Sequence, residues 1–293
     1  MSAGKGESVF FPCDSRLRAR GLLWIQYHSY AEPDFVFRRL PLPFATVVLT
    51  LGGAGRWRFG GGDWQAFPRL ALRGAATGWT EGQDAPGARN EYLAALIEPW
   101  AIADIVGIPA SLVCNQVLDL ERHWAPAARL YEAVEVAEGA ADKIRIFSRA
   151  LLQGSGAGQA DPRLRSLAEF CRSGTGSARL RDFARDAGCS DRWLRSFFRA
   201  HMGVSPKRWS LLERFAASVR ELHPSSWGSR DDYVDPDYAD EPHRIHEFAR
   251  HAGMTPRQYA RIKSAGDPRV FVVPAVERAG AGWEKMDPGS GPG

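Results

Sequence analysis

The chain has 293 residues, 44% of them hydrophobic and 25% charged, with a formal net charge of +4. These values fit a soluble globular protein of about two domains and exclude a fibrous, low-complexity or polyionic chain. Cys13, Cys114, Cys171 and Cys189 form no CxxC pair, which argues against a disulfide framework and suits a reducing cytosol. No basic-plus-apolar leader opens the chain and no apolar run approaches the roughly 20 residues of a membrane span, so a cytoplasmic protein without a membrane partner is expected.

Residues 1–20 carry no clear pattern and are expected to be partly mobile. From Gly21 to Trp79 strands are expected, because residues 22–30 and 44–51 are rich in β-branched and aromatic side chains. Trp57 and Phe59 alternate with Arg56 and Arg58 as in a half-buried strand, and Trp64 with Phe67 begins another. The glycine runs at 52–55 and 60–62 read as hairpin turns: no helix follows them, and neither a Gly-Lys-Ser/Thr nor a dinucleotide-binding spacing is present. A small antiparallel sheet or barrel results. Its aromatic content leaves two readings open, plain core packing or a pocket for a small molecule. The pocket candidates are Trp24, Tyr27, Trp57 and Trp64.

From Trp100 the pattern turns helical. A short helix is expected over 101–106, ended by Gly107, and further helix over 118–123 and 125–152. Leu130, Val134, Ile144, Phe147 and Leu151 are its expected buried positions. Residues 154–161 are small and polar enough to be a linker, and Pro162 opens the next helix.

Residues 180–222 carry the strongest signal. Leu180, Phe183, Ala184 and Ala187 share one helical face, Gly188 can end that helix, and Ser190 can cap a second one. In the second helix Leu194, Phe197 and Phe198 form the inner face, while Arg192, Arg195, Ser196 and Arg199 form the outer one. Two short helices around a glycine-containing turn, the second with a basic face, describe a helix-turn-helix. Between Pro162 and His223 there are 13 Lys/Arg against 6 Asp/Glu, a net of +7, whereas Pro224 to Lys263 holds 6 against 7, a net of −1.

Gly188-Cys189-Ser190 followed by Leu194, Phe198, Gly203 and Val204-Ser205-Pro206 resembles the first DNA-binding unit of AraC/XylS-type transcription regulators. The resemblance covers roughly residues 163–263. It implies an α+β protein: a β-rich amino-terminal sensor-like domain with a helical subdomain, then an all-α double helix-turn-helix domain. The expected division is a regulatory domain over 1–153, a linker over 154–161, the DNA-binding domain over 162–266 and a mobile tail over 267–293. The run 270–273 in that tail is apolar enough to add a strand or dock on the body.

A second unit is visible as a repeat. Phe198, His201, Gly203, Pro206 and Trp209 recur fifty residues later as Phe248, His251, Gly253, Pro256 and Tyr259, and a helix from Lys207 to Leu222 would join the units. The second unit departs from the family pattern. Residues 227–236 make a poor amphipathic helix, Asp237 stands at the usual glycine turn, and Arg244 stands where Leu194 is buried in the first unit. Asp240 can cap the next helix, whose outer face carries Glu241, Pro242, Ile245 and His246, a weak surface for a polyanion. His243 and His246 are too few to make a metal site, so neither metal nor cofactor is expected.

In the first unit Arg192, Arg195 and Ser196 are the expected base readers, since arginine can donate two bonds to guanine. Arg179, Arg199, Lys207 and Arg208 are expected on phosphates. Glu241, Ile245 and His246 are the corresponding positions of the second unit. The resemblance implies double-stranded DNA as partner, a small-molecule effector, a homodimer, contact with RNA polymerase, and activation as the commoner mode. The other reading is a protein-interaction module on a degenerate DNA-binding fold. An enzyme is not expected, because no Ser-His-Asp set or metal-ligand spacing appears and Cys114 has no evident activator.

Overall fold

The computed structural model describes residues 7–13, 15–31, 36–53, 55–85, 89–153, 161–172, 177–222, 241–264 and 270–271. Its strands are β1 (Glu7–Pro12), β2 (Leu22–Ala31), β3 (Val36–Arg39), β4 (Ala45–Thr50), β5 (Arg56–Phe59), β6 (Gln65–Ala66), β7 (Leu70–Arg73), β8 (Thr80–Gln83), β9 (Arg89–Ile97), β10 (Val117–Asp119) and β11 (Val270–Phe271). They form two sheets, β1-β2-β9-β4-β7-β10 and β11-β3-β8-β5-β6. All pairings are antiparallel except β11 on β3. The architecture is α+β, with the sheets in the amino-terminal half and helices after them.

Strand alternation sorts the large sheet into two faces. Ile25, Tyr27, Val47, Leu49, Leu70, Leu72, Leu93 and Ala95 are buried on one face, within a core shared with the helices. Helices α1 (Ser15–Ala19) and α4 (Gly139–Gln153) lie against that face. Trp24, Gln26, Thr46, Val48, Tyr92, Ala94 and Leu96 point the other way and line a cavity together with Arg39 of the small sheet.

Helix α2 (Ile102–Val106) ends at Gly107 as the sequence predicts. Three expectations are corrected. Residues 7–12 and 15–19 are a paired strand and a helix rather than patternless chain. Residues 117–119 are not helical, because their backbone completes a ladder with β7. The long helix is broken into α3 (Ala127–Glu135) and α4. The five positions expected to be buried, from Leu130 to Leu151, are all buried.

The remaining helices are α5 (Pro162–Arg172), α6 (Ser177–Asp186), α7 (Asp191–Met202), α8 (Pro206–Leu222), α9 (Glu241–Ala252) and α10 (Pro256–Ser264). Trp209, Leu212, Phe215, Ala216 and Val219 form the buried side of α8. Leu194, Phe198 and Met202 of α7 join the same core as the large sheet, whereas Phe215, Phe248 and Tyr259 form a second cluster with Leu40. No described helix is long and apolar enough to cross a membrane. The expected linker (apart from Asp161), the segment 227–240 and most of the tail lie outside the described residues. Within the tail, Val270–Phe271 adds a strand to β3.

Candidate nucleic-acid interface

Helix α6, a tight turn and α7 build the first unit. Ala184 is buried and Phe183 half-buried, but Ala187 is exposed rather than part of the inner face. The turn closes through Cys189 N–H to Ala184 O at 2.9 Å. Ser190 Oγ accepts from Trp193 N–H at 3.2 Å, which supplies a partner for one otherwise free amide of α7.

The outer face of α7 exposes Arg192, Ser196 and Arg199. Arg195 differs: it is half turned away, with Nε donating to Asp191 Oδ2 at 2.8 Å. An exposed i,i+4 pair of this kind contributes only about 0.3–0.5 kcal/mol, so it biases the side chain without locking it. Lys207 is exposed, and Arg208 is half-buried with its backbone N–H on Ser205 Oγ. The side chain of Arg179 on α6 lies outside the described residues, as does that of Glu241 on α9. Ile245 and His246 are exposed on α9, and so is Arg250, a cation the sequence reading passed over. Trp193, 41% exposed on α7, is the other residue it missed.

Arg244 is half-buried, where Leu194 of the first unit is buried. The inner side of α9 is made instead by Glu247, Phe248, His251 and Ala252. His243 Nε2 lies 3.9 Å from Glu247 Oε2, and no group of three metal-ligating side chains occurs among the described residues.

Each unit touches the amino-terminal half at the same repeat position. Gly203 and Gly253 both follow the second helix of their unit and both have positive φ, +79° and +67°. A Cβ on Gly203 would lie 2.9 Å from Ala110 O, and one on Gly253 would lie 2.4 Å from Trp79 Nε1. Arg38 of β3 reinforces the second contact by donating to Gly253 O at 3.0 Å while its guanidinium lies over Trp79. That bond serves a carbonyl which the end of α9 leaves without a helical partner. Glu81 accepts from both Arg38 and Arg58 at 3.0 and 2.7 Å. Burial pushes its carboxyl up, but the bonds from Arg38 and Arg58 leave it below the usual range.

The cavity between the sheets has a volume of about 10 Å³, room for about one water. Trp24 lines it. Tyr27 does not, because it falls on the opposite face of β2, beneath Lys143. Trp64 does not either: it lies under the guanidinium groups of Arg56 and Arg58. Trp57 is buried in the small sheet without lining the cavity. One cation, Arg39, lines this interior, and a second, Arg73, pairs across the strands with the lining residue Thr46. Arg73 donates to Thr80 Oγ1 at 3.1 Å, with Thr80 paired to Arg39 across β3 and β8. Burial and then the charge of Arg39 push the Arg73 guanidinium well below its ordinary value. Burial, then Arg39, lowers His28 to about 4. Burial pushes Tyr92 up to about 12.

A pH dependence follows. His28 at about 4, against 6.5 for an unperturbed imidazole, binds its proton later than the unfolded chain does. Burial also lowers His251, against the bond from its Nδ1 to Thr77 O. The stability the neutral His28 ring confers is complete above pH 6.5 and is lost as pH falls toward 4, and His251 acts in the same direction. His28 alone accounts for at most about 2 kcal/mol at pH 5. The denaturant midpoint is expected to fall between pH 7.5 and 5, and to fall less in His28→Gln.

The fold is thus a two-sheet domain with a covering helical layer, followed by a helix-turn-helix unit, a connecting helix and part of a second unit. No protein-family model and no curated protein matches the chain. Among solved structures it is similar to ToxT from Vibrio cholerae, with a TM-score of 0.44 and 9% identity over 89% of this chain and 99% of that one. An apo form of a ToxT variant gives a TM-score of 0.46 and 9% identity over 81% and 97%. Wild-type ToxT with an unsaturated fatty acid bound gives 0.44 and 9% over 89% and 97%.

Proposed function

We propose that the chain is a sequence-specific DNA-binding transcription regulator of the AraC/XylS type, with the first helix-turn-helix as its main reader. The observation that carries this reading is α7, which presents Arg192, Ser196 and Arg199 outward while Leu194, Phe198 and Met202 hold its other side in the core. In helix-turn-helix proteins such a helix enters the major groove, where arginine can pair with guanine. Arg192 and Ser196 are ready for this, and Arg195 joins by leaving Asp191. Arg199, Lys207 and Arg208 supply the salt-sensitive contacts to phosphate.

The test is binding of the full chain to the DNA upstream of its own gene and to a scrambled duplex, across a salt series. The wild type is expected to prefer the upstream duplex. Arg192→Ala is expected to weaken that complex by about 1–3 kcal/mol, leaving the scrambled one nearly unchanged. Weak binding that ignores both sequence and substitution would reduce the unit to a basic surface. No binding would move the protein-interaction reading to first place, and the exposed Pro242 and Ile245 of α9 would then be the natural contact.

The amino-terminal half is the sensing part in this proposal, and the effector chemistry favoured by Arg39, Arg73 and Thr80 is a small anion. An effector larger than a water needs Trp24 or Arg39 to move. Benzoate is expected to raise the melting temperature more than benzyl alcohol or benzylamine do, and Arg73→Met to remove the difference. Equal shifts with all three probes would reject an anion site.

A further inference from the structure

We propose that Trp193 reads thymine, packing its exposed ring edge on the C5-methyl group of a thymine in the major groove beside the base met by Arg192. This inference rests on the DNA-reading proposal and adds a contact of different chemistry to it.

Trp193 is the third residue of α7, and the amino-terminal end of such a helix is the part that reaches base edges. At roughly 100° per residue, Arg192, Ser196, Ala200 and Trp193 fall within one arc of about 100°. That arc is centred opposite the buried Leu194, Phe198 and Met202. Within the arc, Arg192 and Ser196 are hydrogen-bonding groups and Ala200 is small, so Trp193 is the large apolar element. Thymine presents the one apolar group on the major-groove edge of the four bases, its C5-methyl.

The indole is also held in place. Its ring stacks on Phe197 at 4.8 Å and 12°, and Phe197 in turn meets His201 at 4.4 Å. The Arg163 guanidinium of α5 lies over both Trp193 and Phe197, at 5.3 and 5.7 Å. Arg163 is itself fixed by Asp161, with Nη2 on Oδ2 at 2.6 Å and Nε on Oδ1 at 3.0 Å. An exposed aromatic side chain set in one orientation before binding loses little freedom on binding. A tryptophan serving only the core would be covered, as Trp209 is at 0% exposure.

The experiment uses the full chain and a duplex recovered from random DNA by selection for binding. Each thymine in turn is replaced by deoxyuridine, which removes the methyl group and keeps the base pair. One or two positions are expected to weaken wild-type binding roughly 3- to 10-fold, the scale of one or two apolar groups losing their contact. Trp193→Ala should weaken the thymine duplex by a similar factor and be indifferent to uracil at those positions. Trp193→Phe, which keeps a ring on Phe197, should retain part of the dependence, with circular dichroism verifying the fold of both variants. Methyl dependence identical in wild type and Trp193→Ala would overturn the inference, and so would wild-type binding indifferent to every replacement. Either result leaves the DNA-reading proposal standing. Failure of selection to recover any duplex would remove that proposal and this one together.

Discussion

Gly253→Val is expected to cost about 2–5 kcal/mol and to release the second unit from the sheets before the rest of the protein unfolds. Two penalties add. A side chain in the left-handed region, here at φ +67°, costs roughly 1–2 kcal/mol. The new Cβ also meets the Trp79 ring at 2.4–2.8 Å, and overpacking of this sort costs about 1–3 kcal/mol. The indole is not free to swing away cheaply, since Arg38 lies on it at 4.1 Å while also holding Gly253 O and Glu81. Hydrogen exchange is the measurement: amides of α9 and α10 should lose protection by a large factor, while those of β2, β4 and β9 stay slow. Uniform loss across the chain would mean that the second unit is not a separate cooperative element.

The same contact bears on the proposed sensing role. Neighbouring residues of β3 point to opposite sides, Arg39 into the cavity and Arg38 onto the end of α9. The strand also receives β11 from the chain beyond α10. Under the proposed sensing role, movement of Arg39 by an effector has a short physical route to the second unit, because Arg38 is its neighbour in the chain.

The helix-turn-helix was legible because its signals are local. Gly188 as terminator, Ser190 as cap and the spacing of Leu194 and Phe198 all act within one or two turns. The β-branched runs of β2 and β4 were legible for the same reason. β10 was not, since Val117–Asp119 is a strand only because β7 lies beside it, more than forty residues earlier. β1 likewise depends on β2 for its ladder.

The cavity shows a finer limit. Strand alternation alone says that Trp24 and Tyr27 cannot both face one interior, because they lie three positions apart and sides alternate at every step. Which of the two faces the cavity is decided by the helices α1 and α4 that cover the other face. Trp193 was missed for a different reason: an aromatic beside Leu194 and Phe197 reads as core until the helical period is counted, and its 41% exposure then agrees with that count. The glycine repeat was visible as a repeat, but the docking of each copy on the amino-terminal half is a tertiary fact.

Arg214→Met is expected to destabilise the second unit by about 3–5 kcal/mol, and the double variant Arg214→Met/Glu247→Leu to recover most of that loss. Glu247 takes the position that Phe197 holds in the first unit, yet its side chain is only 7% exposed. It is tolerated there because Arg214 of α8 grips it as a fork, Nε on Oε1 at 3.0 Å and Nη2 on Oε2 at 2.5 Å. Removing the cation alone strands a buried carboxylate, with His243 at 3.9 Å as a distant substitute. Removing both leaves apolar side chains in place of an ion pair where α8 meets α9. Denaturant midpoints of the wild type, both single variants and the double variant give the coupling directly. DNA binding by the double variant then separates two roles for α9. Wild-type affinity would mean that the pair serves only to seat the helix. A loss despite restored stability would mean that the outward face of α9, with Ile245, His246 and Arg250, depends on the angle this pair sets.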